Sequence, residues 1–378
     1  LYENDGAGNL KATSKLIIEQ DNESTGTIAV LDYDRDGKDD LFIGNRIEPQ
    51  KYPKYAKSQL LKHSEGRFLD VSSEVMPDLH QFGIVNDAVA TDFNSDGWID
   101  LIVVGEWSQI GFYKNVGGAF ERLTLTDELA KLKGLWFSVT ETDVNADGLP
   151  DYIIGNIGSN TKYKATVDKP LKVFAEDFDM NGTWDLVLSN KSNGDYVPLR
   201  GRECSSQQMP FIAQKFRTYD AFANASIYDV YGDRLMSAYQ AEITETRSLI
   251  LINEGDESFD IQYLPFDAQL GPILSSIAID LNDDDVEDLI VAGSIYDTEP
   301  ETPRFDSSLG TVLISNGENN YQVKTNDEVN LFVDGNVKSL ALLNFQGNKY
   351  LLATKNDGPL SVWRINLPEK ASAALAVR

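Results

Sequence analysis

The chain has 378 residues, 42% of them hydrophobic, enough to bury one large core or two ordinary ones. Lys and Arg number 33 against 60 Asp and Glu, and the formal charge of -27 argues against nucleic-acid phosphates or an anionic membrane as partners and favours metal cations. One cysteine, Cys204, and two histidines exclude an intrachain disulfide framework and a zinc or iron–sulfur centre.

The opening segment, LYENDGAGNLKATS, reads as a glycine-turned hairpin. It lacks the basic, apolar, small-residue order of a signal peptide, and nowhere does the chain reach the run of about 18 apolar residues that a membrane span needs. A short β-type run, TIAVL, follows, then DYDRDGKDD from Asp32, then a second run, LFIGN. This strand, acidic loop, strand unit recurs four more times. DAVAT and LIVVGEW flank DFNSDGWID from Asp92, and FSVTET and YIIGN flank DVNADGLPD from Asp143. KVFAE and LVLSN flank DFDMNGTWD from Asp177, and SSIAI and LIVAGS flank DLNDDDVED from Asp280.

All five loops fit D-x-[DN]-x-[DN]-[GD]-x-x-D. Side-chain oxygens at positions 1, 3, 5 and 9 and the carbonyl at position 7 can converge on one hard cation if position 6 makes a tight turn. The proposed calcium ligands are therefore Asp32, Asp34, Asp36, Lys38 and Asp40; Asp92, Asn94, Asp96, Trp98 and Asp100; and Asp143, Asn145, Asp147, Leu149 and Asp151. The last two sets are Asp177, Asp179, Asn181, Thr183 and Asp185, and Asp280, Asn282, Asp284, Val286 and Asp288, for about five ions in all. Position 6 is glycine in four loops and Asp285 in the fifth, which is expected to be the weakest or most distorted. These are not EF-hands: where that motif needs a bidentate Glu, at position 12, stand Ile43, Val103, Ile154, Leu188 and Val291. Asp, Asn and Gly favour turns without metal, but five copies in one register between matched strands point to calcium. Magnesium suits so many protein oxygens less well.

A second pattern, strand, glycine turn, strand, recurs in SQLLKHSEGRFLDV, SQIGFYKNVGGAFERL, SLILINEGDESFDIQYL and GTVLISNGENNYQV. Adding it to the acidic hairpin gives four antiparallel strands per repeat, the signature of an all-β fold, a β-propeller of six to seven blades spanning 1–378. VKSLALLNFQGNKYLLATKNDGPLSVWRIN supplies a blade without loop carboxylates, and the N-terminal hairpin is expected to complete that C-terminal blade or to belong to a longer parent chain. Residues 191–247 form a mainly helical insertion within the fourth calcium-marked blade, with Ser205 or Ser206 as its N-cap.

The acidic loops resemble the FG-GAP or VCBS repeats of integrin-α-like propellers. GEWSQIGFYKN, GNIGSNTKYKA, PLRGRECSSQQMPFIAQKF and ETPRFDSSLG resemble bacterial VCBS-repeat proteins of the cartilage acidic protein (CRTAC) and ASPIC/UnbV type. That resemblance implies an extracellular or bacterial outer-surface protein, often lipid-anchored through a longer parent chain, with no assigned chemistry.

Strand parity places the acidic loops, as 1-2 turns, on one face and the long 2-3 connections on the other. Long loops on a rigid scaffold are the usual seat of recognition. The ligand face then carries Trp107, Tyr163, Arg200, Arg202, Gln207 and Arg304, rings for area and polar groups for orientation, suited to a glycan or a protein partner. No G-x-S-x-G, phosphate loop or H-E-x-x-H occurs. Glu106, Glu203, Glu299 and Glu301 are the uncommitted candidate carboxylates on the ligand face, and His80, with Tyr52 or Tyr163, is the pair a polysaccharide lyase would use. The expected function is calcium-stabilised binding at the cell surface without catalysis. A glycan-cleaving enzyme and a scaffold subunit of an outer-surface complex are the alternatives.

Overall fold

The computed structural model describes residues 2–12, 23–125, 127–192, 194–299, 301–317 and 320–366, and the structural statements below concern those residues. The five acidic loops fold as the spacing predicts, each closing an antiparallel hairpin. The residue before position 1 opposes the Asp at position 9 in every one: Leu31 with Asp40, Thr91 with Asp100, Thr142 with Asp151, Glu176 with Asp185 and Ile279 with Asp288.

The chain is mostly strand, arranged in several four-stranded sheets. The first comprises Thr25–Leu31, Asp40–Asn45, Gln59–Ser64 and Arg67–Asp70. The second comprises Ile84–Thr91, Asp100–Ser108, Gly111–Asn115 and Phe120–Arg122, with Gly134–Leu135 added at the far end of Asp100–Ser108. Ser138–Thr142, Asp151–Gly155, Leu249–Asn253 and Phe259–Tyr263 make the third, and Ser275–Ile279, Asp288–Ala292, Thr311–Ser315 and Tyr321–Lys324 the fourth. A fifth sheet holds three strands, Val337–Phe345, Asn348–Lys355 and Ser361–Ile365.

The first strands of these five sheets pack against one another in series, so each neighbouring pair of sheets encloses its own core. Phe42, Leu60 and Ala29 meet Val85, Leu101 and Val103 between the first and second sheets. Phe112, Ile102 and Trp136 meet Tyr152, Leu251 and Phe259 between the second and third. Alternation along each strand supplies these faces, and each fully buried Leu, Ile, Val or Phe contributes about 1.5–3 kcal/mol.

Three expectations are corrected. The hairpin SLILINEGDESFDIQYL does not follow the fourth acidic loop into its sheet; Leu249–Asn253 pairs with Asp151–Gly155 and completes the third. The whole span 156–248 is therefore one 2-3 connection of the third sheet. It carries its own four-stranded sheet in the order Asp195–Pro198, Asp185–Ser192, Leu171–Glu176, Tyr239–Ile243. Secondly, Tyr2–Asn4 and Leu10–Ala12 form a two-stranded sheet of their own rather than completing the fifth. Every residue of those two strands is exposed, so they offer no apolar face to dock; residues 1, 13 and 14 of that segment lie outside the described residues.

Thirdly, the insertion's helices are shorter than the pattern suggested: Arg202–Gln208, Phe211–Lys215, Tyr219–Ala223, Ile227–Tyr231 and Arg234–Ser237, after which Tyr239–Ile243 is strand. The first has Gly201 as N-cap, and Ser205 lies buried inside it rather than capping it. The apolar stripe docks as expected, with Ile212, Phe222, Ile227, Val230 and Tyr231 packed on Phe174 and Val187 of the inserted sheet and on Phe178 of its acidic loop.

Candidate functional site

Each acidic loop is built by the same hydrogen bonds. Backbone N–H groups at positions 5 and 6 donate to the two carboxylate oxygens of position 1. In the first loop these are Asp36 N to Asp32 Oδ1 at 3.0 Å and Gly37 N to Asp32 Oδ2 at 2.9 Å. The position 7 N–H donates to the side chain at position 5: Lys38, Trp98, Leu149, Thr183 and Val286 to Asp36, Asp96, Asp147, Asn181 and Asp284, all at 2.8–3.0 Å. These contacts require left-handed backbone at position 6, and Asp285 adopts it at φ 66° as the glycines do at 80–89°. The fifth loop keeps the shared pattern and adds a 2.6 Å contact from Asp283 N to Asp280 Oδ1.

Position 9 has a role that its place in the motif does not reveal. Asp40, Asp100, Asp151, Asp185 and Asp288 are all buried. In the serial sheets the Oδ1 accepts from the third strand: His63 N to Asp40 and Asn115 N to Asp100 at 2.7 Å, Asn253 N to Asp151 and Ser315 N to Asp288 at 2.8 Å. Burial pushes the Asp100 carboxyl up to about 7 and that of Asp151 up to about 6. The Asp100 Oδ2 is buried with no hydrogen-bond partner, an oxygen that a cation would satisfy. Carboxylate oxygens of Asp32, Asp34 and Asp40 lie within 4.8 Å of one another, as do those of Asp177, Asp179 and Asp185. These two loops have Asp at position 3 where the other three have Asn. The donor set is all hard oxygen and fits calcium.

The ends of the third strands of the second, third and fourth sheets also tie neighbouring sheets together. Asn115 donates Nδ2 to Tyr33 O of the first loop at 2.8 Å, and Asn253 does the same to Phe93 O of the second at 2.8 Å. Ser315 Oγ reaches Val144 O of the third at 3.3 Å. These links put the first, second and third loops on one side of the series. The loop at Asp177 is elsewhere. Its sheet begins at the opposite side, with Leu171 packed beside Leu135 and Ile157. The expectation that all five loops share one face is corrected accordingly.

On that opposite side leave the connections 46–58, 156–248 and 293–310. Trp107, Tyr163 and Arg200 line one cavity of about 240 Å³ with Leu135, Leu171, Leu188, Asp297 and Phe305. Tyr163 and Phe305 lie 6.3 Å apart, and Arg200 pairs with Glu299, which also accepts from Lys162 at 2.6 Å and Thr302 at 2.7 Å. Burial pushes the Glu299 carboxyl up, but the Lys162 and Thr302 hydrogen bonds and the Arg200 charge outweigh it and hold it below the usual range. Trp107 sits at φ 60°, a strained backbone for a bulky residue, fixed by its Nε1 donating to Tyr52 Oη at 2.7 Å. Tyr52 in turn donates to Glu106 at 2.7 Å, and Arg46 donates to the other oxygen at 2.5 Å. Burial first and the Glu106 charge second push the Tyr52 phenol well up.

The other three predicted ligand residues stand apart from this cavity. Arg202 donates to Phe216 O at 2.6 Å inside the helical insertion, Gln207 is exposed on its first helix, and Arg304 stacks 4.5 Å over Tyr296. Gln208, one residue on, accepts from Arg200 at 2.9 Å. Asp297 and Phe305 were missed by sequence reasoning; their only signal is their place in a long 2-3 connection. Burial, then the nearby Glu301 carboxylate, pushes the Cys204 thiol up, which disfavours a reactive thiolate.

Residues 92–154 match the model of the FG-GAP-like repeat family, a span running from the second acidic loop into the second strand of the third sheet. No curated protein sequence matches the chain. Among solved structures, an Agrocybe aegerita lectin described as recognising non-reducing terminal N-acetylglucosamine is similar at 14% identity and TM-score 0.31, over 91% of this chain and 81% of the lectin. The V. cholerae biofilm matrix protein Bap1 is similar at 10% identity and TM-score 0.37, over 96% of this chain and 72% of Bap1.

Proposed function

We propose that this chain is a calcium-stabilised propeller-type protein of the cell surface that binds a glycan at the cavity lined by Trp107, Tyr163 and Arg200. The observation that carries the reading is that these three residues, drawn from the second sheet and from the inserted span, converge with Phe305 and Glu299 in one recess on the side away from the first three acidic loops. Rings there offer area to the apolar faces of a sugar, while the charged groups orient its hydroxyls.

The carboxylates of the loops would hold calcium and supply charge neutralisation and rigidity, remote from the ligand. Sites built on exposed loops with Asn and Asp ligands suit the calcium concentrations found outside cells, about 10⁻⁴–10⁻³ M for extracellular modules. Of the carboxylates at or beside the cavity, Glu106 is held by Arg46 and Glu299 by Arg200 and Lys162, which leaves Asp297 there rather than a pair of free carboxylates. That favours binding over carboxylate-driven cleavage. The surface placement and the likeness to bacterial VCBS-repeat proteins of the CRTAC type belong to the same proposal.

Calorimetric titration against a panel of linear oligosaccharides tests it. A binding oligosaccharide whose affinity falls at least about tenfold in Trp107→Ala supports the reading. Binding to a protein partner alone, with no oligosaccharide bound, overturns it.

A further inference from the structure

A second cavity, of about 550 Å³, adjoins the first across Trp107, which lines both. It lies between the outer part of the second sheet and the last strand of the inserted sheet. Its walls include Arg122, Lys133 and Lys172 together with Tyr55 and Tyr239. In a chain of formal charge -27 this is a local reversal of sign. Two carboxylates share the lining, but Glu106 is held by Arg46. Glu242 alone serves both lysines, 2.9 Å from Lys133 Nζ and 3.9 Å from Lys172 Nζ. The Arg122 guanidinium pairs with no carboxylate among the described residues. The cavity therefore holds about two positive charges beyond those its own acids neutralise.

The geometry points to this basic cavity as a subsite for an anionic group, carboxylate or sulfate, on a linear acidic glycan that extends past Trp107 from the apolar cavity. It rests on the glycan reading above and adds the chemical class of the ligand. Two recesses that share Trp107 as a wall suit a chain of several sugars rather than one terminal residue. The rings of Tyr55, Tyr239 and Trp107 suit a sugar backbone better than a run of acidic side chains. With repulsion from the rest of the protein opposing any anion, only close contacts in this cavity can give it net attraction.

The test is calorimetry with hexagalacturonate, its full methyl ester, a sulfated neutral hexasaccharide and hexaglutamate, against the wild-type chain, Trp107→Ala and the double variant Arg122→Gln, Lys172→Gln. The expected result is that hexagalacturonate or the sulfated sugar binds at least about tenfold more tightly than the ester. The double variant should then bind acid and ester within about threefold of each other. Its melting temperature, within about 1–2 °C of wild type for changes on this surface, keeps misfolding out of the comparison. Equal binding of acid and ester to the wild-type chain overturns the subsite while leaving the glycan reading in place. Hexaglutamate binding more tightly than either acidic sugar overturns it in favour of an acidic protein segment. Failure of every sugar to bind the wild-type chain, or sugar binding that Trp107→Ala leaves unchanged, brings down the glycan reading itself.

Discussion

Replacing Asn115 by Ala removes one side chain that joins the first two sheets at the level of their acidic loops. Its Nδ2 donates to Tyr33 O at 2.8 Å and to Ile99 O at 3.0 Å, and its Oδ1 accepts from Gly118 N at 2.8 Å. The residue is fully buried, so truncation leaves two carbonyls and one N–H without partners. Each such loss costs about 1–3 kcal/mol, and the turn N–H can be partly solvated, giving about 3 kcal/mol in total. An unfolding entropy of about 2.1 cal/mol/K per residue over 378 residues is about 0.8 kcal/mol/K, so the melting temperature should fall by about 4 °C. Differential scanning calorimetry is the assay, with Val116→Ala at the adjacent exposed position as control. Asn115→Asp should cost at least as much, because it sets an acceptor against two carbonyl oxygens. A melting temperature for Asn115→Ala within 1 °C of the control would show that Asn115 does not tie the two sheets together (about 0.8 kcal/mol on the same scale).

Gly148→Ala meets no atom within 4 Å of the new Cβ, so its cost at φ 85° is purely conformational, about 1–2 kcal/mol, readable by chemical denaturation. Glu245 gives a pH signature. Burial pushes its carboxyl up, but Arg247 hydrogen bonds at 2.7 and 2.9 Å and the Tyr263 hydroxyl at 2.9 Å outweigh that and hold it below the usual carboxylate range. A depressed folded-state value stabilises above the unfolded value of about 4.3 and loses that stability as pH falls through the folded value. Glu245→Gln should therefore cost about 2 kcal/mol at pH 7 and progressively less in melts below pH 4. Chelation of calcium should lower the melting temperature without abolishing oligosaccharide binding at temperatures where the chain stays folded, checked by titration in EDTA.

Much of the architecture was legible because the acidic loops repeat one ligand register between strands of matched length. That spacing located the hairpins on both sides of Asp32, Asp92, Asp143, Asp177 and Asp280, and strand parity located the side carrying Trp107, Tyr163 and Arg200. Parity specifies a side, not a position within it, so Arg202, Gln207 and Arg304 were placed with residues they do not meet. The nesting of the inserted sheet was not legible: Leu249–Asn253 fits the pattern of a third strand equally well beside Asp151–Gly155 or Asp185–Ser192, and only packing selects between them. Asn115, Asn253 and Ser315 read as ordinary hairpin-turn residues, since their partners Tyr33, Phe93 and Val144 lie one sheet back along the chain.

The proposed function stands on the repeated acidic loops being calcium sites that hold the sheets in place. Equilibrium dialysis of the chain against millimolar calcium, followed by elemental analysis of the retained metal, tests it most directly. The prediction is about five ions per chain, with about one ion lost when Asp32 and Asp34 are both changed to Ala. Retention of no calcium above the dialysis background would contradict it.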